Sequence, residues 1–513
     1  MLLQAVPEEY LTERGRRYLR ELERKFPNFK ASDDPRTSFG GMVGSPIESN
    51  SAQHMSDRAW LRAMEHYSGN VTHREFLKGG AQELSGVLQG LIKEQPERFY
   101  QLLDKIPDNV DDSYVTAYIS GLADSHARAE WLLAIIRRFG SQPNRNIATA
   151  IHWALAKRSQ IPLPEDIQWL LEESIQAAPD KYEQSTSREG KDLYNAYLNS
   201  ERGTAFRALM SFLRQRGDDP QAIGHRWRLV EYVSADPSSV LRAGAVEELL
   251  YLMPLDRVRS VTLFEELLLG HETLLCSYFA DDFIHHALYK QFARIRPYIR
   301  LMMDADTDLC RQRGAELACI AAISPHALET EGNLADARRL AEETIAGDAS
   351  WRRGAARIYA FNIVDGPREQ CTTALRMLLN DEDTQVRQHI SPLFHRLRTE
   401  HMLELQSFIE EFAASRAFQD QPHFFAEYLW ENSTVFPELT LSLIDIALRN
   451  AYTPEQAYGG YRSGEEFIRS VLRIYNDPIS DEVLQQHAMD IFDRLMERFP
   501  GQSQQVLEEW DRR

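Results

Sequence analysis

The chain has 513 residues, 43% hydrophobic and 26% charged, with 58 Lys and Arg against 77 Asp and Glu for a formal net charge of −19. That is the composition of a folded chain, and its acidic balance disfavours a broad phosphate-binding surface, which needs clustered Lys and Arg. Four cysteines without a C-x-x-C pair make no disulfide framework, and no apolar run has the length to span a bilayer.

Residues 8–26 read as one helix, with Tyr10, Leu11, Tyr18, Leu19 and Leu22 near one face and Arg14, Arg16, Arg17, Arg20 and Arg24 around the rest. The glutamates Glu13, Glu21 and Glu23 pair with those arginines on a solvated face. The start of the chain lacks the charged, apolar and cleavage regions of a signal peptide, so the expected compartment is the cytoplasm. Residues 27–56 are rich in Pro, Gly, Ser and Asp and read as a linker. Within them Gly40, Gly41, Gly44 and Ser45 resemble a phosphate cradle only superficially, because no Gly-Lys-Ser/Thr ending follows and no apolar strand precedes.

Ser56 and Asp57 then cap a helix carrying Trp60, Leu61 and Met64 on its apolar stripe. Apolar spacings of three and four predict further helices over 81–94, 96–103, 112–123, 127–139, 144–157 and 164–177. No stretch alternates as a strand would. Residues 57–190 are thus expected to form a helical N-terminal subdomain. A soft, polar segment over 178–191 closes it.

From residue 191 onward a pattern recurs. A helix-starting polar or acidic cluster precedes an arginine, and small residues follow most of those arginines. The arginines are Arg202, Arg242, Arg311, Arg352 and Arg387, spaced by about 40, 69, 41 and 35 residues, the long step being roughly two of the others. The clearest case is residues 380–397, where Asp381, Glu382, Asp383 and Thr384 precede Val386 and Arg387. A helix with Ile390, Leu393, Phe394 and Leu397 on one face is expected to follow. Such a helix cannot bury its apolar face alone and needs neighbours of the same kind. The expected fold is therefore all-α, a HEAT-like α-solenoid over 191–513 preceded by the helical subdomain. Helices are predicted to continue over 403–416, 423–430, 437–449, 465–475 and 481–499, with a short polar helix closing the chain.

Few residues carry a chemical signature. Cys310 and Cys319 read as buried small hydrophobes. His285 and His286, adjacent on a helix, point to different faces and cannot easily share a metal. His395, Glu400 and His401 miss both zinc-protease spacings. No G-x-S-x-G is present, and no catalytic, metal-binding or cofactor-binding residue is assigned. Lys290, Arg294, Arg296 and Arg300 interleave with Phe292, Tyr298 and Met302, a pattern that can track a nucleic-acid backbone or form the basic outer face of a solenoid helix. Residues 450–464 read as a loop in which Tyr458, Tyr461 and Arg462 are the candidate partner-contact residues, since tyrosine and arginine anchor interfaces.

Several stretches together resemble one family. They are GGMVGSPI with MSDRAWLRAM after it, GGAQELSGVL, NSERGTAFRALMSFL, ADPSSVLRAGAVEELLYLM, RGAELACIAAIS and LLNDEDTQVRQHI. They are similar to the C-terminal HEAT-like sensor region of large bacterial STAND-type P-loop NTPases, many of them linked to anti-phage defence. The resemblance implies a protein-recognition role, with a phage protein as partner and an NTPase and effector module on the N-terminal side. This chain has no Walker A loop, so the resemblance implies a detached C-terminal portion with no NTPase activity of its own. Alternative expectations are a general protein scaffold and a HEAT-fold factor acting on DNA.

Overall fold

The computed structural model describes residues 12–25, 43–69, 78–140, 145–179, 191–324, 330–450, 460–477 and 481–511, with the single positions 183 and 328. Among them the regular structure is helical, and the only β-type pairing is an isolated bridge between Gly44 and Lys78. The chain divides into two compact units, residues 1–154 and 155–513.

The first unit contains α1 (Glu13–Lys25), α2 (Ser49–Gln53), α3 (Asp57–His66), α4 (Ala81–Glu94), α5 (Pro96–Leu103), α6 (Asp112–Asp124), α7 (Ala129–Phe139) and the greater part of α8 (Arg145–Lys157). Ser56 caps α3 by accepting from the Ala59 N–H, as its position predicts. Trp60 is fully buried edge-on to Phe99, and α4, α6 and α7 pack in sequence. Arg138 closes the turn after α5 by donating to the carbonyls of Leu103 and Ile106 and to Asp108. Tyr18, expected on the apolar side of α1, is exposed.

The second unit continues with α9 (Glu165–Gln176), α10 (Lys191–Asn199), α11 (Glu201–Gln215), α12 (Pro220–Ser234), α13 (Ser239–Leu252), α14 (Arg257–Leu268), α15 (Tyr278–Met303), α16 (Asp308–Ile323), α17 (Glu331–Ala346) and α18 (Ala349–Phe361). It closes with α19 (Arg368–Leu378), α20 (Thr384–Gln388), α21 (His401–Glu404), α22 (Gln406–Ala413), α23 (Arg416–Asp420), α24 (His423–Asn432), α25 (Pro437–Arg449), α26 (Gly460–Tyr475), α27 (Glu482–Arg498) and α28 (Pro500–Asp511). Neighbour contacts sort these helices into two rows. In the first, α11, α13, α15, α16, α18, α20 and α23 follow one another, and α24, α26 and α28 extend the row. In the second, α12 packs on α14, α17 on α19, α19 on α22, α22 on α25 and α25 on α27. Each helix meets chiefly its neighbours along the row and across it, which is the organisation of a helical-repeat solenoid. The apolar faces meet between the rows, where one continuous buried cluster runs from Cys319 to Val506.

The recurring arginines sit where successive repeats meet. In α13, α16, α18 and α20 the caps are Ser238, Thr307, Asp348 and Asp383, each accepting from the backbone N–H three residues on. Four residues past each cap stands Arg242, Arg311, Arg352 or Arg387. Each guanidinium folds back over its own entry loop. Arg242 Nε donates to Asp236 O at 2.6 Å, Arg311 Nη1 to Ala305 O at 2.9 Å, Arg352 Nη1 to Gly347 O at 2.6 Å and Arg387 Nη1 to Glu382 O at 3.0 Å. Three of them also reach an acid of the next repeat: Arg311 pairs with Asp348, Arg352 with Asp381 and Arg387 with Asp420. Arg202 belongs to the same series by contact, pairing with Asp236, but stands two residues past its cap Ser200. The small residues after the arginines serve close approach. A Cβ added to Gly244 would lie 2.1 Å from the Tyr197 ring, and one added to Gly354 would lie 2.5 Å from the Gln312 carbonyl oxygen.

Three expectations need correction. Residues 380–397 are not one helix: α20 ends at Gln388, and a 3₁₀ turn, Ser391–His395, follows. Pro392 is the reason, because it has no N–H to continue the ladder and its ring clashes with the preceding turn. Ile390, Leu393, Phe394 and Leu397 are nonetheless buried. The helix predicted over 403–416 is split between α21 and α22, with α23 starting at Arg416. Cys310 is buried but not merely a small hydrophobe, for it is disulfide-bonded to Cys276 across a sequence separation of 34. Stacking of successive repeats brings the two together, so no local spacing announces the pair.

Candidate functional site

The long step between Arg242 and Arg311 holds a complete but irregular repeat. The helix α15 is two segments joined at a kink, with non-helical backbone at Tyr289, Lys290 and Gln291, and Lys290 has a φ of 73°. Arg257 supports the break by donating to the carbonyls of His286 and Tyr289 at 2.7 and 2.9 Å. The segment before the kink takes a place in the first row. The segment after it lies in the second row, where Arg294 pairs with Glu265 on α14 and Arg296 with Asp336 on α17. The cap of α15 is Ser277, accepting from Ala280 N–H, so the fourth residue past the cap is Asp281. A carboxylate stands where the neighbouring repeats carry an arginine.

Asp281 lines a cleft. A cavity of about 400 Å³ is lined by Tyr194, Leu275, Cys276, Tyr278, Asp281, Leu309 and Arg313, among others. A second hollow of about 210 Å³ shares Asp281 and Arg313 and reaches Glu316, His285, Arg357 and Phe361. Arg313 Nε is 3.6 Å from Asp281 Oδ2, which is ion-pair distance but beyond a direct hydrogen bond. Arg313 and Arg357 both engage the buried Glu316, at 2.5 and 2.9 Å. Burial pushes the Asp281 carboxyl up to about 6, against the pull of Arg313. Burial, with His286 beside it, holds His285 below its ordinary value, and the Tyr278 hydroxyl engages Asp282.

A second feature runs along the first row. Tyr251, Phe361 and Trp430 stand at the C-terminal ends of α13, α18 and α24, all partly exposed. Each lies under an arginine of another element: Arg214 at 4.2 Å, Arg396 at 3.9 Å and Arg473 at 5.9 Å from the ring centres. Such pairs are within cation–π range.

The residues singled out from the sequence fare differently. Tyr458 lies outside the described residues. Tyr461 and Arg462 fall in the first turn of α26, not in a loop, since that helix begins at Gly460. Close approach explains the early start: a Cβ on Gly464 would meet the Phe499 ring at 2.8 Å, and Ser463 is fully buried. The three arginines of the basic stripe on α15 are paired, Arg294 with Glu265, Arg296 with Asp336 and Arg300 with Asp304 and Glu343, while Lys290 falls at the kink. Phe292 and Met302 of that stripe are buried. Cys319 and Cys371 are buried thiols, each pushed up to about 12 by burial. Among the described residues no group of three or more His, Cys, Asp or Glu is placed to hold a metal ion, and no helix is long and apolar enough to cross a membrane.

The sequence reading missed both the cleft and the aromatic row. The signal for the cleft was present in the arithmetic of the arginines, as the one step long enough to hide a repeat without its arginine. The aromatic row carries no local signal, because each arginine reaches its ring from a different repeat.

The fold and these surfaces define an all-α helical-repeat protein. No protein-family model matches the chain, and no curated protein matches it. Among solved structures, the Pds5–Scc1 complex, described for its implications for cohesin function, contains a similar chain. It is 11% identical, with 92% of this chain and 77% of that chain covered and a TM-score of 0.32. The solenoid assignment rests on the two rows of helices and on the arginines that join successive repeats.

Proposed function

We propose that the second unit is a protein-recognition module without catalytic activity of its own, and that it grips its partner along the exposed side of the first row. The observation that carries this reading is the set of arginine-covered rings at Tyr251, Phe361 and Trp430. Tyrosine, tryptophan and arginine are the side chains that dominate binding energy at protein interfaces, and rings already held under a guanidinium lose little freedom on binding. The paired state of the basic stripe on α15 argues against a phosphate backbone as the partner.

In its finer form the proposal is that the module senses a phage protein on behalf of a STAND-type NTPase, an N-terminal effector and NTPase module answering to it. What supports this form is the likeness of motif stretches such as ADPSSVLRAGAVEELLYLM to the sensor regions of that class. Ligand binding would then shift the assembly between two states by its differential affinity for them. The test is affinity purification from bacteria with and without phage infection, using the parent chain and a Tyr251→Ala/Phe361→Ala/Trp430→Ala variant of unchanged helicity. Infection-dependent recovery of a phage protein by the parent alone is expected. Equal recovery by both chains removes the aromatic row from the account, and a partner independent of infection leaves a general scaffold.

A further inference from the structure

The cleft at Asp281 is a feature the aromatic row does not use. Its walls are hydrocarbon and ring: Tyr194 and Tyr278 are both exposed toward solvent, Leu309 is 45% exposed, and Leu275 and Met302 close the interior. Its one acid is short of partners. Among the described residues no hydrogen bond reaches the Asp281 carboxylate, and Arg313, at ion-pair distance from it, spends its Nη1 hydrogen bond on Glu316. The charges acting on Asp281 are Arg313 and Arg357 against Glu316 and Asp282, so with Asp281 itself this cluster, behind and beside the cleft, carries one formal negative charge in excess. The remaining titratable groups there leave that balance standing, since His285 is held below its ordinary value and Tyr278 above its own. An apolar pocket of a few hundred cubic ångströms with one convergent, desolvated charge is the usual form of a ligand site. Here the missing complement is a cation that donates hydrogen bonds and brings an apolar stem.

We propose that this cleft binds a primary ammonium group carried on an apolar stem, with the ammonium on Asp281 and the stem against Tyr194, Tyr278 and Leu309. Aromatic rings in the wall favour a cation further wherever a face meets it, because ring faces are negative. A free alkyl- or arylalkylamine and the lysine of a peptide offer the same chemistry. The site therefore stands apart from the aromatic row and survives if that reading fails.

The test is calorimetric titration of the full chain at pH 8 with 2-phenylethylamine, with its uncharged counterpart 2-phenylethanol, and with an acetylated, amidated peptide bearing one lysine beside a phenylalanine. Saturable binding of the amine or the peptide is expected, with the alcohol about tenfold or more weaker, the loss that removing one charged hydrogen-bonded contact brings. Asp281→Asn should weaken the cation about tenfold and leave the alcohol unchanged, and affinity for the cation should fall as the pH drops below about 6. Leu309→Ser, at a half-exposed wall position, weakens amine and alcohol together and serves should Asp281→Asn fold poorly. Binding of the amine alone marks a small-molecule site, and binding of the peptide alone marks a pocket for a partner's lysine. Binding of neither, equal binding of amine and alcohol, or an Asp281→Asn chain that binds the amine as the parent does overturns the proposal.

Discussion

Replacing Arg387 by methionine tests whether the arginine series holds the second unit together. The Arg387 side chain is 5% exposed, and its guanidinium serves Asp381 O, Glu382 O, the Thr384 hydroxyl and the Asp420 carboxylate. Methionine keeps much of the hydrocarbon but leaves two loop carbonyls and a carboxylate only 20% exposed without a donor. Removing one partner of a buried pair costs about 3–5 kcal/mol, because the other is left desolvated. Arg387→Lys keeps the charge but cannot present the planar fork, so it should lose about half as much. A double-mutant cycle with Asp420→Asn should give a coupling of about 1–3 kcal/mol. Hydrogen exchange locates the effect: protection should fall in α20, α23 and the turn between α19 and α20 and persist in α3 to α7, since a repeat stack transmits stability between neighbours. A loss below about 1 kcal/mol, or exchange that rises evenly over both units, would refute the reasoning.

Three further outcomes are expected. Asp281→Asn should raise stability at pH 8 by about 1–3 kcal/mol and leave it unchanged at pH 4, measured by urea unfolding at both values. The sign follows from a folded-state value of about 6, above the ordinary carboxylate range: the native chain binds the extra proton, and stability falls as pH rises through that window. Cys276→Ser should lower the unfolding midpoint by the equivalent of about 2–4 kcal/mol under oxidising conditions and have little effect with excess dithiol, since the bond closes a loop of 34 residues. Gly244→Ala should destabilise by about 1–3 kcal/mol, because its Cβ falls 2.1 Å from the Tyr197 ring, and Gly244→Ala/Tyr197→Leu should recover part of the loss in thermal unfolding.

Much of this fold is legible locally. A cap and a fourth-position arginine, with a small residue after it in α13, α16 and α18, form a short pattern, and the physics behind it acts within one turn of helix, so these three and α20 are visible in the sequence. Helices such as α4, α5 and α25 keep their predicted limits because Pro and Gly stand at their edges. The misses come from interactions between repeats. The acid partners Asp348, Asp381 and Asp420 lie 37, 29 and 33 residues beyond their arginines, with no fixed offset to read. The kink in α15 is hidden because its apolar spacing continues through Lys290, and Asp281 escapes notice because its meaning lies in what its neighbours carry at the same place. Tyr461 and Arg462 read as loop because their polar surroundings outweigh the tertiary packing of Gly464 on Phe499.

Because Arg202, Arg311, Arg352 and Arg387 lean forward onto an acid of the following repeat, the stack has a direction. A fragment cut just after α18 keeps Arg352 with Asp381 gone, an unpaired cation at its broken face. A fragment starting just before α19 begins with that aspartate unanswered instead. Two halves separated there would present opposite charges at matching surfaces, so they should recombine more readily with each other than either would with itself.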